Sequence, residues 1–304
     1  MTAPSGGRDG RTRLLFVSIS LVGGGAEKIL VRLLNALDPG RYDLRLVLFE
    51  SKLDYLHELA PHIKVACFEK TRRTEFFRIL AHLRHILSGW RPDAVVSLLD
   101  YANVVTFLSA LGLRRRPRII LCEHNFTPRW FQGLRFGTLI QMLKRFCYRR
   151  ADEVVVVSKG IERMFLQRYK LAPERVRVIY NPIPLAEVRE RARESVSHPF
   201  LDDPSLRVVV AAGRLERIKR YDRLLDGFAR ARREHAGLRL IVLGKGSLLG
   251  ALRAQAERLG VAGDVGFAGF HPNPYAWIAR ADVFALTSES EGFPNVLIES
   301  LALG

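Results

Sequence analysis

A chain of 304 residues that is 48% hydrophobic and 26% charged can bury one large or two ordinary cores, and that balance excludes wholesale disorder and a helical membrane bundle. Lys and Arg number 48 against 31 Asp and Glu, a formal +17, which points to nucleic acid, an anionic membrane surface or phosphorylated substrates, or else to no more than a solvated basic surface.

Residues 1–12 are small, polar and Gly-rich and are expected to be a disordered tail. Residues 14–19 form a continuous apolar run, as in a strand buried on both faces of a parallel sheet. Arg11 and Arg13 before it imitate a secretion signal, but a glycine turn and a charged amphipathic helix follow where a cleavage site would stand. Ala26, Ile29, Leu30, Leu33, Leu34 and Leu37 fall at helical spacing, and Pro39-Gly40 stops that helix. Strands are expected at 44–49, 65–68, 94–98, 119–122, 154–158 and 176–179, with helices at 76–87 and 161–169. His82 and His85, three apart on a helix, read as surface residues, because no further ligand motif accompanies them. The longest apolar run, 104–113, is about half a membrane span.

Near Asn181-Pro182-Ile183-Pro184 the alternation breaks, and the charged stretch 187–194 reads as a linker. A second alternating set follows, with strands at 208–212, 238–243, 265–267 and 283–286, and a last helix begins near Pro294. The expected organisation is a tail at 1–12, an α/β domain at 13–182 and a second at 183–304, each a mostly parallel sheet with right-handed crossovers. The second is expected to be incomplete, since the sequence stops early in a helix where a doubly wound sheet usually continues.

Three segments at strand-to-helix junctions carry candidate chemistry. In Gly23-Gly24-Gly25-Ala26-Glu27-Lys28 the missing side chains let backbone N–H groups approach an anion, although a merely tight turn reads equally well. The segment fits neither G-x-x-x-x-G-K-[ST] nor G-x-G-x-x-G, where Lys28 occupies the last glycine position, so NTPase and dehydrogenase readings weaken. Gly213-Arg214-Leu215-Glu216-Arg217-Ile218-Lys219 flanks a short loop with a guanidinium fork and an ammonium, suited to a diphosphate held without a metal, and no D-x-D triplet occurs. Its alternative is one more basic surface patch. In Glu291-Gly292-Phe293-Pro294-Asn295-Val296-Leu297-Ile298-Glu299, two glutamates straddle a helix start and suit sugar and ribose hydroxyls; taken alone, their spacing reads equally as dipole compensation.

Together and in this order, the three segments resemble the family-4 retaining glycosyltransferases of GT-B fold: GGGAEK is similar to their glycine loop, GRLERIK to their phosphate clamp and SESEGFPNVLIE to their E-x7-E motif. Cys122-Glu123-His124-Asn125, Val157-Ser158-Lys159-Gly160 and Val178-Ile179-Tyr180-Asn181-Pro182 also fall where such enzymes carry similar segments, so the likeness runs over about 14–304. It implies two Rossmann-like domains facing across a cleft. It implies that Arg214 and Lys219 bind the donor diphosphate and stabilise the leaving phosphate, that Glu299 holds the ribose, and that Glu291 with Gly292, Phe293 and Pro294 positions the donor sugar. Gly24 and Gly25 would approach the phosphate from the first domain, His124 would face the reacting sugar, Gly244 and Gly246 would lie near the nucleotide, and Phe270 near the base. The implied reaction moves a sugar, with retention and without a metal or other cofactor, from a nucleoside-diphosphate sugar to a saccharide or polyprenyl-linked acceptor. Because the remainder of the nucleotide domain is missing from the resemblance, donor binding by these 304 residues is expected to be weak.

Two other readings stay open. One is a different GT-B enzyme, such as a sugar-nucleotide epimerase or a glycogen-type synthase; the other is a nucleic-acid-binding protein, motivated by the charge and Arg114-Arg115-Arg116 but lacking a recognised module. No nucleic-acid partner is therefore expected. The segment 135–150, with Leu134, Phe136, Leu139, Ile140, Leu143, Phe146 and Cys147 at near-helical spacing and Lys144, Arg145, Arg149 and Arg150 interleaved, fits a basic helix resting on an anionic bilayer, or a core helix with a solvated basic face. Three scattered cysteines without a C-x-x-C pair fit a reducing cytosol, so the expected location is cytoplasmic, at the inner face of the cell membrane.

Overall fold

The computed structural model describes residues 10–22, 24–51, 53–69, 75–124 and 137–304. The chain divides into two compact units, Met1–Asn181 and Pro182–Gly304.

The first unit runs β1 (Thr12–Ser18), α1 (Gly25–Ala36), β2 (Tyr42–Leu48), β3 (Lys64–Cys67), α2 (Phe76–Trp90), β4 (Ala94–Leu98), α3 (Asp100–Ala110), β5 (Arg118–Glu123), α4 (Gly137–Arg150), β6 (Glu153–Val156), α5 (Lys159–Tyr169) and β7 (Val176–Val178). Its strands are parallel in the order β3-β2-β1-β4-β5-β6-β7. The direction of winding reverses between β1 and β4, the position at which open α/β sheets form a crevice. Leu15, Val17, Leu46, Leu48, Val95 and Leu121 are essentially inaccessible, as the unbroken apolar runs require. Thr12 belongs to β1 and not to the tail, because its N–H bonds Arg41 O and its register partner is Tyr42.

The second unit runs α6 (Leu185–Arg191), α7 (Pro199–Asp202), β8 (Arg207–Ala212), α8 (Tyr221–Glu234), β9 (Leu238–Leu243), α9 (Leu249–Arg258), β10 (Val265–Gly269), α10 (Tyr275–Ala279), β11 (Val283–Phe284) and α11 (Asn295–Leu301). Four parallel strands in the order β10-β9-β8-β11 put its reversal between β8 and β11. Leu225, Leu240, Val242, Leu252 and Ala256 pack one face of this sheet, while Val210, Ile241, Trp277 and Ile278 pack the other. Most of the stretch read as a charged linker is α6: Val188 is fully buried, the Arg191 guanidinium lies 5.7 Å from the Tyr275 ring centre and bonds Pro272 O at 3.0 Å, and Asn273 returns a bond to Arg191 O. One buried valine between charges gives too little apolar period to declare such a helix.

An aspartate sets strand register in both units. Asp93, before β4, donates its N–H to Arg13 O while its carboxylate accepts Arg13 N–H at 2.9 Å. Asp152 treats Ile119, and Asp282 treats Val208, in the same way, with carboxylate distances of 2.7 and 2.8 Å. Each pair closes the amino end of a ladder with two bonds to a single residue, so a slip by one residue would break both.

The helix α3 was legible only as an apolar run. Ala102, Val105, Phe107 and Ala110 are buried, and so are Asn103, Thr106 and Ser109, whose polar atoms bond to Glu123, Ser97 and the Val105 carbonyl. A helix buried on most sides has no amphipathic period to read.

Candidate functional site

Every candidate residue of the second unit follows the carboxyl end of a strand: Arg214 and Lys219 after β8, Gly244 and Gly246 after β9, Phe270 after β10, and residues 291–299 after β11. The β8 and β9 loops meet backbone to backbone. Gly244 has φ +143°, and a Cβ on it would stand 1.9 Å from Gly213 O; one on Gly246 would stand 2.5 Å from Leu215 O. Leu215 N–H donates to Lys245 O, and Leu248 N–H to Leu215 O, so the two loops form a single ledge. On it the Lys245 ammonium lies 5.2 Å from the centre of the half-exposed Phe270 ring.

The β8 loop tightens into a 3-10 turn, Arg217–Lys219, and ends at Arg220 in the left-handed region, φ 51°. Thr287, just beyond β11, donates its hydroxyl to the carbonyls of Lys219 and Arg220, and Glu289 N–H donates to Ile218 O. Those bonds stop β11 after two residues, shorter than the 283–286 expected, and pin the glutamate loop against the clamp loop. Lys219 Nζ consequently reaches Glu291 Oε1 at 2.6 Å, with the two side chains about a fifth exposed. Arg220 bridges Asp222 and Glu289, and its hydrogen bonds hold the Asp222 carboxyl below the usual carboxylate range. Arg214 is exposed, and among the described residues its guanidinium has no ion pair.

Glu299 lies in the fifth position of α11, buried, with Oε1 accepting the Tyr275 hydroxyl at 3.0 Å. Gly292 is buried, and Asn295 N–H turns back to Phe293 O. Pro294 is the residue before the helix. Burial, with Glu291 adding to it, pushes the Tyr221 hydroxyl above its ordinary range, so it stays a neutral group facing Gly213.

In the first unit Gly24 and His124 occupy the carboxyl edge as well, after β1 and β5 on either side of β4. Gly24 is extended, φ −128°, so it is required for closeness and not for φ: a Cβ would meet Glu27 Oε2 at 2.2 Å. The Glu27 carboxylate thus leans over the start of α1, where Gly25 is the first helical residue. The His124 Nδ1 atom is buried and among the described residues has no partner; burial lowers its pKa to about 4, leaving a neutral imidazole at physiological pH. Gly23 and Asn125 lie outside the described residues.

Two features escaped the sequence reading. Lys144, counted among the surface cations of α4, is 5% exposed and pairs with Asp100, while Leu139, Met142 and Phe146 of α4 are the exposed apolar residues. Leu134, Arg135 and Phe136 lie outside the described residues. Tyr275 and Thr287, which hold Glu299 and Lys219 in place, carry no signal in one sequence beyond being polar residues near a motif.

The family description "Glycosyltransferase Family 4" matches residues 23–187, and "Glycosyl transferases group 1" matches 194–304. The N-acetylgalactosamine-N,N'-diacetylbacillosaminyl-diphospho-undecaprenol 4-alpha-N-acetylgalactosaminyltransferase of Campylobacter jejuni is 27% identical over 292 residues, covering 93% of this chain and 76% of that protein. The lipopolysaccharide core biosynthesis glycosyltransferase LpsE of Rhizobium meliloti is 33% identical over 287 residues, covering 92% and 74%. Among solved structures, Anabaena HepE in complex with UDP superposes with a TM-score of 0.74 at 20% identity, covering 96% of this chain and 79% of that one. WaaG, a glycosyltransferase of lipopolysaccharide biosynthesis, gives 0.73 at 16%, covering 95% and 79%. With both units matched and both built as parallel α/β sheets, the chain belongs to the family-4 glycosyltransferases and has their GT-B fold.

Proposed function

We propose that this glycosyltransferase is a retaining, metal-independent enzyme that transfers a sugar from a nucleoside-diphosphate sugar to a lipid-linked saccharide at an anionic membrane. The observation that carries the reading is the carboxyl edge at β8 and β11, where one loop carries an exposed Arg214 and, further along it, a lysine already paired with a carboxylate. As the bond from the sugar to the diphosphate breaks, negative charge develops on the leaving phosphate; two preset cations stabilise it there without reorganising. Glu291 positions the sugar, and Lys219 exchanges part of that carboxylate for phosphate as donor binds. Glu299, fixed by Tyr275, accepts from the ribose hydroxyls, and the ring of Phe270 offers a face to the base. Gly24 and Gly25 supply backbone N–H groups to the phosphate once Glu27 swings aside, and the neutral His124 accepts a hydrogen bond from the reacting sugar.

The relatives' printed acceptors, diphospho-undecaprenol glycans and lipopolysaccharide, support a lipid-linked acceptor, and HepE's complex with UDP supports a uridine donor. The exposed stripe Leu139, Met142 and Phe146 beside Arg149 and Arg150 supports attachment to an anionic bilayer. No helix among the described residues is long and apolar enough to cross one.

The test incubates the protein with UDP-glucose, UDP-galactose or UDP-N-acetylgalactosamine and an undecaprenyl-diphosphate-linked saccharide, with and without EDTA. Transfer with the donor's anomeric configuration kept, unaffected by EDTA, is expected; inversion or an absolute need for a divalent ion would refute the mechanism. Co-sedimentation with vesicles that does not depend on anionic lipid would remove the membrane part.

A further inference from the structure

The first unit buries a set of ionisable side chains that sugar transfer, as described, does not use. Glu123, the last residue of β5 and the neighbour of His124, is 1% exposed. Around it stand Asp100 and Asn103 from α3, Lys144 and Tyr148 from α4, and Tyr169 from α5. Asn103 Nδ2 donates to Glu123 Oε1 at 2.8 Å and to Cys122 O at 3.0 Å, and also lies 3.2 Å from the Tyr148 hydroxyl oxygen, so its two hydrogens are shared among three acceptors. The Tyr148 hydroxyl lies against Glu123 Oε1 and 3.3 Å from Asp100 Oδ1. Lys144 Nζ pairs with Asp100, and although burial opposes its charge, Asp100, Tyr169 and Glu123 together hold it above the ordinary lysine range.

Counting protons decides the state of this cluster. One hydroxyl hydrogen on Tyr148 cannot serve two carboxylates. With Asp100 and Glu123 both ionised, the group carries a net negative charge that includes a Glu123 carboxylate closed to water, Asp100 alone reaching solvent, and one carboxylate oxygen faces a lone pair. A proton on Glu123 removes both defects: Glu123 donates to Tyr148, Tyr148 donates to Asp100, and Asp100 is neutralised by Lys144. The balance of burial and of repulsion from Asp100, against Lys144 and Tyr148, runs the same way and raises the Glu123 carboxyl well above its ordinary value.

We propose that Glu123 is carried as the neutral acid, its proton passed along Tyr148 to Asp100, and that this chain fixes the end of β5 so as to hold His124 in its buried setting: Glu123 is a positioning residue for sugar transfer. The proposal rests on the role given to His124 above. Cys122 O, the acceptor for both Asn103 Nδ2 and Leu99 N–H, ties the same two residues to the start of α3, where Leu99 sits at φ 73°. A non-glycine residue in that region persists only where its surroundings over-determine it.

Glu123→Gln and Glu123→Ala test it, since Gln reproduces the donor and acceptor of a neutral carboxyl. Wild type takes up a proton on folding above about pH 4.3, the unfolded glutamate value, so its stability falls as pH rises until the folded group ionises. The melting temperature of Glu123→Gln relative to wild type should therefore climb between pH 5 and 8. A difference that does not vary with pH, or a Gln variant that unfolds throughout, overturns the proposal. The second reading follows the His124 imidazole by NMR. Its titration near pH 4 should persist in Glu123→Gln and move toward about 6.5 in Glu123→Ala; a titration unmoved by Ala removes the positioning role. Should His124→Ala transfer sugar as well as wild type while these two results hold, the role of His124 in transfer falls and the buried proton stands.

Discussion

In the first unit the residues after β4 and β5 take Glu123, Lys144 and Tyr148 out of water, with the Asp100 carboxylate at their edge 42% exposed; in the second, the residues after β8 and β11 leave Arg214 exposed and the Lys219–Glu291 pair about a fifth exposed. At the opposite edge the two units are alike, each closing a ladder with an aspartate bonded twice to one residue of the neighbouring strand. Breaking a buried pair costs about 3–5 kcal/mol, whereas an exposed pair contributes about 0–1. Lys144, itself buried, would be left an uncompensated charge without Asp100, whereas in the proposed mechanism Lys219, about a fifth exposed, leaves Glu291 for a phosphate. The comparison separates charge buried inside a unit from charge left within reach of solvent, where the proposed donor would bind, on the same sheet plan.

The sharpest way to break the second unit's edge is Gly244→Ala. Its Cβ would meet the Gly213 carbonyl at a left-handed φ, and a loss on the order of 3 kcal/mol in stability is expected, measured by denaturant unfolding and accompanied by loss of transfer. An Ala variant as stable as wild type would show that the two loops do not form one ledge. Next comes Tyr275→Phe, which strips the buried Glu299 oxygen of its hydroxyl partner; a loss of about 1–3 kcal/mol and weaker UDP binding should appear together. If stability falls and binding does not, Glu299 is only structural.

The smallest effect belongs to the shared edge. The Val208 N–H, aided by Arg207, lowers the Asp282 carboxyl below its ordinary value. A depressed folded value gives stability that is present above the unfolded value of about 3.9 and lost as pH falls through the folded one. Asp282→Asn should thus cost about 1 kcal/mol at neutral pH, a figure held low by the exposure of the pair, and the deficit should close below about pH 4, by thermal melts across pH.

The sequence exposed one layer of this and hid another. Buried strands such as Ala94–Leu98 and Leu238–Leu243 were legible at their observed bounds, because a run of apolar residues between turn signals has few other uses. The helix α3 was not, because Asn103, Thr106 and Ser109 face the interior and erase the period. The clamp and E-x7-E segments stood out by residue type, yet the pairing of Lys219 with Glu291 depends on Thr287 and Glu289 docking onto the 217–220 turn, a tertiary contact with no local pattern. Lys144 looked like a surface cation for the same reason: its partner lies 44 residues earlier, at the start of α3.

The proposed transfer depends most on the diphosphate lying against the β8 loop, and the phosphorus NMR spectrum of UDP reads that contact even when binding is weak. Wild type should broaden and shift both phosphate resonances, and Arg214→Ala should abolish most of the effect while the protein keeps its melting temperature. Equal perturbation by wild type and by Arg214→Ala would contradict it.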